Sequence, residues 1–313
     1  MYSPSIHTLC KTIGFADGHG YRPTFLPEVT LFRAAVHESE CPLLYRRGLA
    51  FILHGDQTVA AGRRELSNGG DHYLILASNL PLRCETRASS KMPVIGIHVG
   101  LDVTRLQRLV SILSEDPHWR RTTGSVPEHA VTSARLDKNI SSAMAALIEV
   151  LHDPVASRAI GAATLTRLYF DVLRSDDGML LALLARNDSR LARVSAAMRY
   201  MEQHLHDKIG IDELTRIADM SRSAFHRAFK EVLGEPPLQH LKQLRLNIAR
   251  NRITYKGQSV RVAAASVGYE STSQFSREFK RYFGVSPSRA KELPYSNLVG
   301  VRSYLSRTLD VVG

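Results

Sequence analysis

The sequence is poor in cysteine, and its thiols suit neither a disulfide framework nor a zinc site. Cys10, Cys41 and Cys84 are an odd number, and no CxxC pair occurs. Disulfide-rich secreted domains carry even sets of cysteines, and structural zinc sites use paired, closely spaced ligands. The cysteine usage therefore indicates a reducing compartment, and we expect a cytoplasmic protein.

Long apolar runs and targeting signals are missing as well. No stretch of about 18 apolar residues occurs, so the sequence predicts no transmembrane helix and no membrane partner. The first twenty residues, MYSPSIHTLCKTIGFADGHG, contain no basic segment followed by an apolar one. A signal peptide needs both segments in that order, and we expect none here.

Motifs for common enzyme chemistry are absent too. The sequence contains no GxSxG, no P-loop and no HExxH. His54, His72 and His98 lie in or near predicted strands without an HxH and glutamate at metal-binding spacing, and His204 and His206 diverge on a predicted helix. We expect no catalytic residues, no cofactor and no metal.

Positive charge is present in excess, and it is concentrated near the end of the chain. The net charge is +11 in 313 residues. Residues 1–189 carry 20 Lys/Arg and 19 Asp/Glu, whereas residues 190–313 carry 21 and 11. A basic domain joined to a nearly neutral one indicates that the basic part meets a polyanion, although a merely soluble basic surface stays open on charge alone.

Hydrophobic patterning divides the chain into three parts. Residues 25–100 contain six apolar, β-branched stretches separated by turn signals such as Asn68-Gly69-Gly70, which favours an antiparallel barrel or sandwich. Residues 101–185 change to helical spacing. We predict an α+β protein with a regulatory domain at 1–189, an all-helical domain at 190–295 and a tail at 296–313.

One peptide occurs twice in the helical part. SRSAFHRAFKEVLGEPP at 221–237 aligns with STSQFSREFKRYFGVSP at 271–287, with eight identities in seventeen positions. Each copy begins with a serine suited to cap a helix N-terminus and ends with a glycine suited to the left-handed conformation. Both copies are predicted helices with phenylalanines on one face and basic or polar residues on the other.

A short helix is predicted before each copy, in DELTRIAD and in RVAAASVG. A short helix, a tight turn and a second helix with a polar outer face form the helix-turn-helix pattern, whose second helix enters the major groove of DNA. A longer predicted helix, PLQHLKQLRLNIARNRIT, joins the two motifs. Its eighteen residues span about 27 Å, comparable with the roughly 34 Å of one DNA turn.

These residues, above all VGYESTSQFSREFKRYFGVSP, resemble the double helix-turn-helix domain of the AraC/XylS family of transcription regulators. The resemblance covers residues 191–293, and Thr215 departs from it where the family usually has alanine. It implies double-stranded DNA as partner and regulation of transcription, with an activator expected but repression left open, and contact with RNA polymerase. The implied base-facing residues are Arg222, Ser223, His226 and Arg227 in the first copy and Thr272, Ser273, Gln274, Ser276 and Arg277 in the second. The implied phosphate contacts are Lys230, Arg245, Arg250 and Lys280.

Residues 25–113 are similar to the N-terminal regulatory domain of one branch of that family, through LPEVTLFRAAVHES, PLLYRRGLAFILHG and GGDHYLILASNLPLRCET. This resemblance implies a cupin-like β-barrel followed by helices that dimerise. We expect a small-molecule effector, and we predict its pocket at Tyr45, His54, Tyr73 and His98. Cys41, with cations nearby in sequence, is a candidate sensor thiol. The alternative is a cupin-type metal-dependent enzyme fused to a helical nucleic-acid-binding domain.

Overall fold

The structure, a computed structural model, describes residues 3–62, 64–122, 129–185 and 189–293. A strand-rich part with flanking helices is followed by a helical part, as the sequence predicts. The predicted tail at 296–313 lies outside the described residues, as do residues 186–188 next to the predicted domain boundary. The boundary at residue 189 stays a prediction.

The strands form one antiparallel sheet in the order β1-β2-β9-β4-β7-β6-β5-β8-β3, with β10 pairing with β7 beside this path. Their bounds are β1 (Gly20–Pro23), β2 (Val29–Ala34), β3 (Glu38–Tyr45), β4 (Gly48–His54), β5 (Asp56–Ala61), β6 (Arg64–Gly69), β7 (His72–Leu76), β8 (Leu80–Arg87), β9 (Val94–Gly100) and β10 (Val131–Arg135).

The sheet curls into a half-barrel whose two edges are β1 and β3. His19, which precedes β1, hydrogen-bonds through Nε2 to Oε1 of Glu38 at the start of β3, at 2.8 Å. The two edge strands therefore approach each other, although no backbone ladder joins them.

Four described strands were not predicted: β1, β3, β6 and β10. Strand β3 reads ESECPLLY and β6 reads RELSNG, so charged residues, proline and asparagine interrupt the apolar signal in both. Proline has no backbone N–H to donate to a ladder, and it is tolerated in β3 because β3 is an edge strand.

Helices flank the half-barrel and then form the rest of the described chain. The first group is α1 (Ser3–Thr12), α2 (Val103–Leu113), α3 (Pro117–Thr122), α4 (Lys138–Leu151), α5 (Pro154–Arg174) and α6 (Met179–Ala185). The second group is α7 (Arg190–Gln203), α8 (Ile211–Ala218), α9 (Arg222–Leu233), α10 (Pro237–Lys256), α11 (Val260–Ala265) and α12 (Thr272–Phe283), followed by a 3-10 helix (Pro287–Glu292).

The buried apolar residues form two main cores, and the division does not fall at the predicted domain boundary. One core runs without interruption from Ile6 in α1 through the half-barrel to Leu244 in α10. The other extends from Leu246 to Ala290 and contains α11, α12 and the second half of α10. The first helix-turn-helix motif thus shares a core with the regulatory part, whereas the second has its own.

Candidate DNA-binding interface

The two copies of the repeated peptide form the helices α9 and α12, with the caps that the sequence predicts. Ser221 Oγ accepts from the Ala224 amide at 3.4 Å, and Ser271 Oγ accepts from the Gln274 amide at 3.2 Å. Gly234 and Gly284 end the helices with φ of 77° and 80°, a left-handed conformation that favours glycine. Capping at both ends fixes the same helix length in each motif.

The inner face of each helix is apolar and fully packed. Phe225, Phe229, Phe275 and Phe279 are completely buried, and Phe283 nearly so. The rings of each successive pair lie close together, with centroids 5.5 Å apart for Phe275 and Phe279. The predicted role of the phenylalanines as core residues is confirmed.

The outer face of each helix carries the predicted base-facing residues. Those described as exposed are Arg222, Ser223, Arg227, Ser273, Gln274 and Arg277. His226, Thr272 and Ser276 are half-buried at the margins of the same faces. Arg227 and Arg277 occupy equivalent positions one turn after the N-terminus of their helices, where recognition helices contact base edges.

Two of these side chains are engaged within the protein. Gln274 Nε2 donates to Glu278 Oε1 at 3.4 Å, and Arg222 Nη1 lies 3.9 Å from Asp212 Oδ1. Arg222 and Gln274 are themselves exposed, and such interactions of exposed side chains contribute little and exchange readily for a partner. The outer faces therefore remain open to an incoming polyanion.

Small buried residues bring the supporting helices close to α9 and α12. Ala218 of α8 and Ala263 and Ala264 of α11 are buried, whereas the neighbouring Ala265 is exposed. Thr215 bonds through Oγ1 to the Asp212 carbonyl oxygen at 2.9 Å, which accommodates its hydroxyl within α8. The departure at Thr215 thus leaves the first motif intact.

The helix α10 joins the motifs and is two residues longer than predicted. Its 20 residues span about 30 Å at 1.5 Å per residue. Lys230 and Lys280 lie in the last turn of α9 and α12, and both are exposed as a phosphate contact requires.

The predicted phosphate contacts on α10 need correction, because this helix is largely enclosed. Arg250 is 1% exposed, and its Nη1 donates to the Pro42 carbonyl oxygen at 3.1 Å. Arg245 is half-buried and donates from Nη2 to the Asp207 carbonyl oxygen at 2.6 Å. Burial lowers the pKa of both guanidinium groups from the ordinary arginine value. In this conformation both arginines hold parts of the protein together.

The predicted effector pocket also needs correction, because its residues do not converge. Tyr73 pairs with Phe51 across β7 and β4, whereas His98 pairs with Ala50 across β9 and β4. Successive residues of a strand point to opposite faces, so Tyr73 and His98 lie on opposite faces of the sheet. They cannot line one pocket.

The other two predicted pocket residues have partners of their own. Tyr45 is buried and donates from its hydroxyl to Gln57 Oε1 at 2.8 Å, within a polar cluster that includes Cys84. His54 Nδ1 lies 2.6 Å from the Pro93 carbonyl oxygen. These four side chains therefore act individually in packing the half-barrel.

Cys41 is buried directly opposite Cys84 on strands β3 and β8. Burial raises the pKa of the Cys41 thiol to about 11, and the nearby Arg250 offsets this only in part. The arginines that act on the Cys41 thiol are Arg250 and Arg83, which are distant in sequence. A thiol with a raised pKa carries little thiolate at neutral pH and is a weak nucleophile. A sensing role for Cys41 stays a prediction that its burial disfavours.

A cavity of about 450 Å³ lies elsewhere, beside Ser5 of α1 and along α4 as far as Glu149. Its lining residues are Ser5, Leu136, Asp137, Lys138, Ser141, Ser142, Ala145, Ile148 and Glu149. None of the four predicted pocket residues contributes to it.

The described ranges contain no group of three or more His, Cys, Asp or Glu that could hold a metal ion.

Sequence reasoning missed a polar stripe on α10. Gln243, Asn247, Arg250 and Asn251 recur at helical spacing, and the last three are buried. Asn247 Nδ2 donates to the Tyr282 hydroxyl of α12 at 3.2 Å, and that hydroxyl donates to Gln243 Oε1 at 3.3 Å. The i, i+4, i+7, i+8 pattern was visible in the sequence, but a polar helical face is typically solvated.

Two exposed recognition helices, linked by one helix and preceded by a half-barrel, define a helix-turn-helix protein with an appended regulatory domain. The model for the AraC-type transcriptional regulator N-terminus matches residues 25–180, and a helix-turn-helix domain model matches residues 214–292. The chain belongs to the AraC family of transcriptional regulators. No described helix has the length and apolarity to cross a membrane.

Individual relatives match mainly one part of the chain. RclR of Escherichia coli K12, an RCS-specific HTH-type transcriptional activator, is 39% identical over 103 residues, covering 33% of this chain and 35% of RclR. LumQ of Photobacterium leiognathi, a probable transcriptional regulator, is 32% identical over 110 residues, covering 34% of this chain and 44% of LumQ. The chain thus spans less than half the length of either relative.

The solved structures of ToxT from Vibrio cholerae share the fold across both parts. One is similar with a TM-score of 0.59 at 11% identity, covering 87% of this chain and 98% of ToxT. Other ToxT structures are described as bound to an unsaturated fatty acid and to (E)-4-(8-methylnaphthalen-1-yl)but-3-enoic acid. The likeness confirms the predicted order of an antiparallel β-domain, flanking helices and a helical C-terminal domain, with a half-barrel in the place of the expected barrel.

Proposed function

We propose that the protein is a sequence-specific DNA-binding transcription regulator of the cytoplasm, and not an enzyme. The observation that carries this is the pair of equally capped helices, α9 and α12, each exposing an arginine at the equivalent position. Sequence-independent binding needs only charge, whereas two matched recognition helices suit two blocks of bases in successive major grooves. Double-stranded DNA is the partner.

The direct test is selection of bound DNA from a random library by the full chain and two variants. We expect the parent to enrich a motif with two blocks about one helical turn apart. Arg227→Ala should lose preference in one block and Arg277→Ala in the other, each by about 1–3 kcal/mol of discrimination.

A matched control separates base contacts from phosphate contacts in that selection. Lys280→Ala removes an exposed cation from the same helix as Arg277. It should weaken binding to all sequences alike and leave the motif unchanged. An unchanged motif with Arg277→Ala would assign Arg277 to phosphate, and no enriched motif with the parent would overturn the proposed function.

The regulatory part supplies control in this proposal, through a small-molecule effector and a homodimer. The effector site is assigned to the cavity between α1 and α4 in place of the four side chains expected from sequence. Leu136, Ala145 and Ile148 supply its apolar surface, and Lys138 supplies a cation beside the carboxylates of Asp137 and Glu149. The ligand assigned to it is an apolar carboxylic acid, the class named for the ToxT ligands.

The output of the protein is transcription activation through contact with RNA polymerase. Support comes from relatives named as activators, among them RclR and the activator RhaS of an Enterobacter species.

A further inference from the structure

The linker helix α10 covers one edge of the sheet in the regulatory part. Strand β3 is the last strand of the sheet, so its outer backbone groups have no neighbouring strand in the described part of the chain. Unpaired edge groups need another partner or exposure to water. The Pro42 carbonyl of β3 finds its partner in Arg250, which lies in the second half of α10.

Arg250 contacts the second recognition helix as well as the sheet. Its guanidinium carbon lies 5.3 Å from the centroid of the Phe283 ring, at the end of α12. Helix α12 also packs against β3. One side chain from the linker therefore joins the edge of the regulatory part to the recognition helix of the second motif.

The contact of Arg250 with Pro42 and Phe283 joins two parts of the protein that have separate hydrophobic cores. The first motif is built into the core of the regulatory part, and the Ala130 amide also donates to the Val232 carbonyl oxygen in the last turn of α9 at 2.8 Å. The second motif has a separate core and no comparable apolar continuity with the half-barrel. Its orientation relative to the first motif depends on α10, on the contact at β3 and on a surface contact with residues 205–208, where Lys208 Nζ lies 2.8 Å from Glu270 Oε1.

The guanidinium of Arg250 is buried at this contact, and only specific interactions can compensate the loss of its hydration. Burying a charge is strongly unfavourable unless hydrogen bonds and good geometry compensate. A planar fork can donate to a carbonyl while stacking on an aromatic ring, whereas a lysine ammonium cannot do both in the same way. The chemistry of the site therefore favours arginine in particular.

We propose that Arg250 is a positioning residue that anchors the second recognition helix to the regulatory part through Pro42, and so fixes its orientation relative to the first. The proposal deepens the proposed function and rests on it for its consequence in DNA binding. The anchor restricts the protein to one spacing between the two blocks of bases. A regulatory domain that moved β3 would release this restriction.

The first test needs no DNA. Spin labels on Ser223→Cys and Ser273→Cys, both exposed, report the distance between α9 and α12 by pulsed electron resonance in the full chain. The three native thiols are buried and protected from labelling. We expect one narrow distance distribution in the parent and a broad one in Arg250→Met.

Arg250→Met should still fold, since replacing a buried charge with an apolar side chain of similar volume is often neutral or stabilising. Arg250→Lys is the second variant if it does not, and it too should broaden the distribution because it lacks the fork. Arg252→Met is the matched control, because Arg252 donates from the same helix to the Ser266 carbonyl oxygen, inside the second motif, at 3.0 Å. It should leave the distribution narrow.

The second test measures DNA sites whose two blocks are moved apart or together by one to three base pairs. The parent should prefer one spacing, and Arg250→Met should bind that site about 10-fold more weakly, the effect of one hydrogen bond to a charged group, while tolerating the other spacings. A distribution as narrow in Arg250→Met as in the parent would overturn the anchor. A broadened distribution with no selected DNA motif in the parent would leave the anchor standing and reject the proposed function.

Discussion

At the scale of single residues, buried polar side chains account for most differences between sequence expectation and structure. Tyr45, His98 and Arg250 all carry groups that sequence reasoning assigned to ligands or phosphate. Each is instead buried and hydrogen-bonded to another group of the same chain. A side chain able to recognise a ligand is equally able to satisfy the backbone of its own fold, and only packing decides between the two.

His98 shows this most closely. Its Nε2 lies 3.1 Å from the Arg46 carbonyl oxygen. A Cβ atom on Gly48 would approach that nitrogen to 2.5 Å, so the glycine is required by the close contact. Burial, with a smaller contribution from the Arg46 charge, lowers the pKa of His98 to about 4.

The lowered pKa makes stability depend on pH. The unfolded chain takes up a proton near pH 6.5 and the folded chain only near pH 4, so the contribution is complete above about pH 6.5 and is lost as the pH falls toward 4. We expect urea denaturation to show a decrease of up to about 3 kcal/mol in the free energy of unfolding across this window.

His98→Gln should remove most of that pH dependence, whereas the same substitution at the exposed His118 should preserve it. Equal pH dependence in the parent and in His98→Gln would show that other groups are responsible.

At the scale of elements, helices were far more predictable than strands. The recognition helices have strong local signals in Ser271, Gly284 and the phenylalanine spacing, and these signals act within one helix. Strand β3 has none, because Glu38 and Pro42 are compatible with a strand only at the edge of a sheet. Its position at that edge follows from the whole sheet, which no local window contains.

The helix α5 offers a face for the proposed homodimer. Gly161 packs against Leu26 on its inner side, while Val155 and Ile160 on its outer side are 62% and 52% exposed. Exposed alanines at positions 159, 162 and 163 lie near them and allow close helix approach. We expect a dimer through this face.

Sedimentation velocity tests this interface. Ile160→Asp should shift the parent dimer to monomer, since it places a charge in an apolar contact. Ile112→Asp on α2, where the isoleucine is 58% exposed, is the matched control and should remain dimeric. Dissociation by the control alone would place the interface at α2.

At the scale of the whole molecule, charge and hydrophobic patterning located the two functions correctly but could not reveal how their cores join. The basic excess lies in residues 190–313, where both recognition helices are found. The continuous core from Ile6 to Leu244 depends on contacts between distant segments, such as Ala130 with Val232. Such contacts leave no periodic trace in a single sequence.

The proposed effector cavity is also a property of the whole molecule, because α1 and α4 meet there from distant parts of the chain. We expect an unsaturated fatty acid such as oleate to raise the melting temperature of the full chain. Ala145→Trp should abolish this shift by filling the cavity. Ala146→Trp, on the next exposed residue of α4 but outside the lining, should retain it. An unchanged shift in Ala145→Trp would place the ligand elsewhere.

The covering of β3 by α10 also bears on how the chain can be divided. A strand edge without its cover is a template for pairing with other chains, and such edges promote aggregation. Removing the helical part would uncover β3 and cut the core shared with the first motif. The half-barrel alone is therefore a poor unit for expression, whereas the second motif, with its own core, is the piece best suited to transfer into another protein.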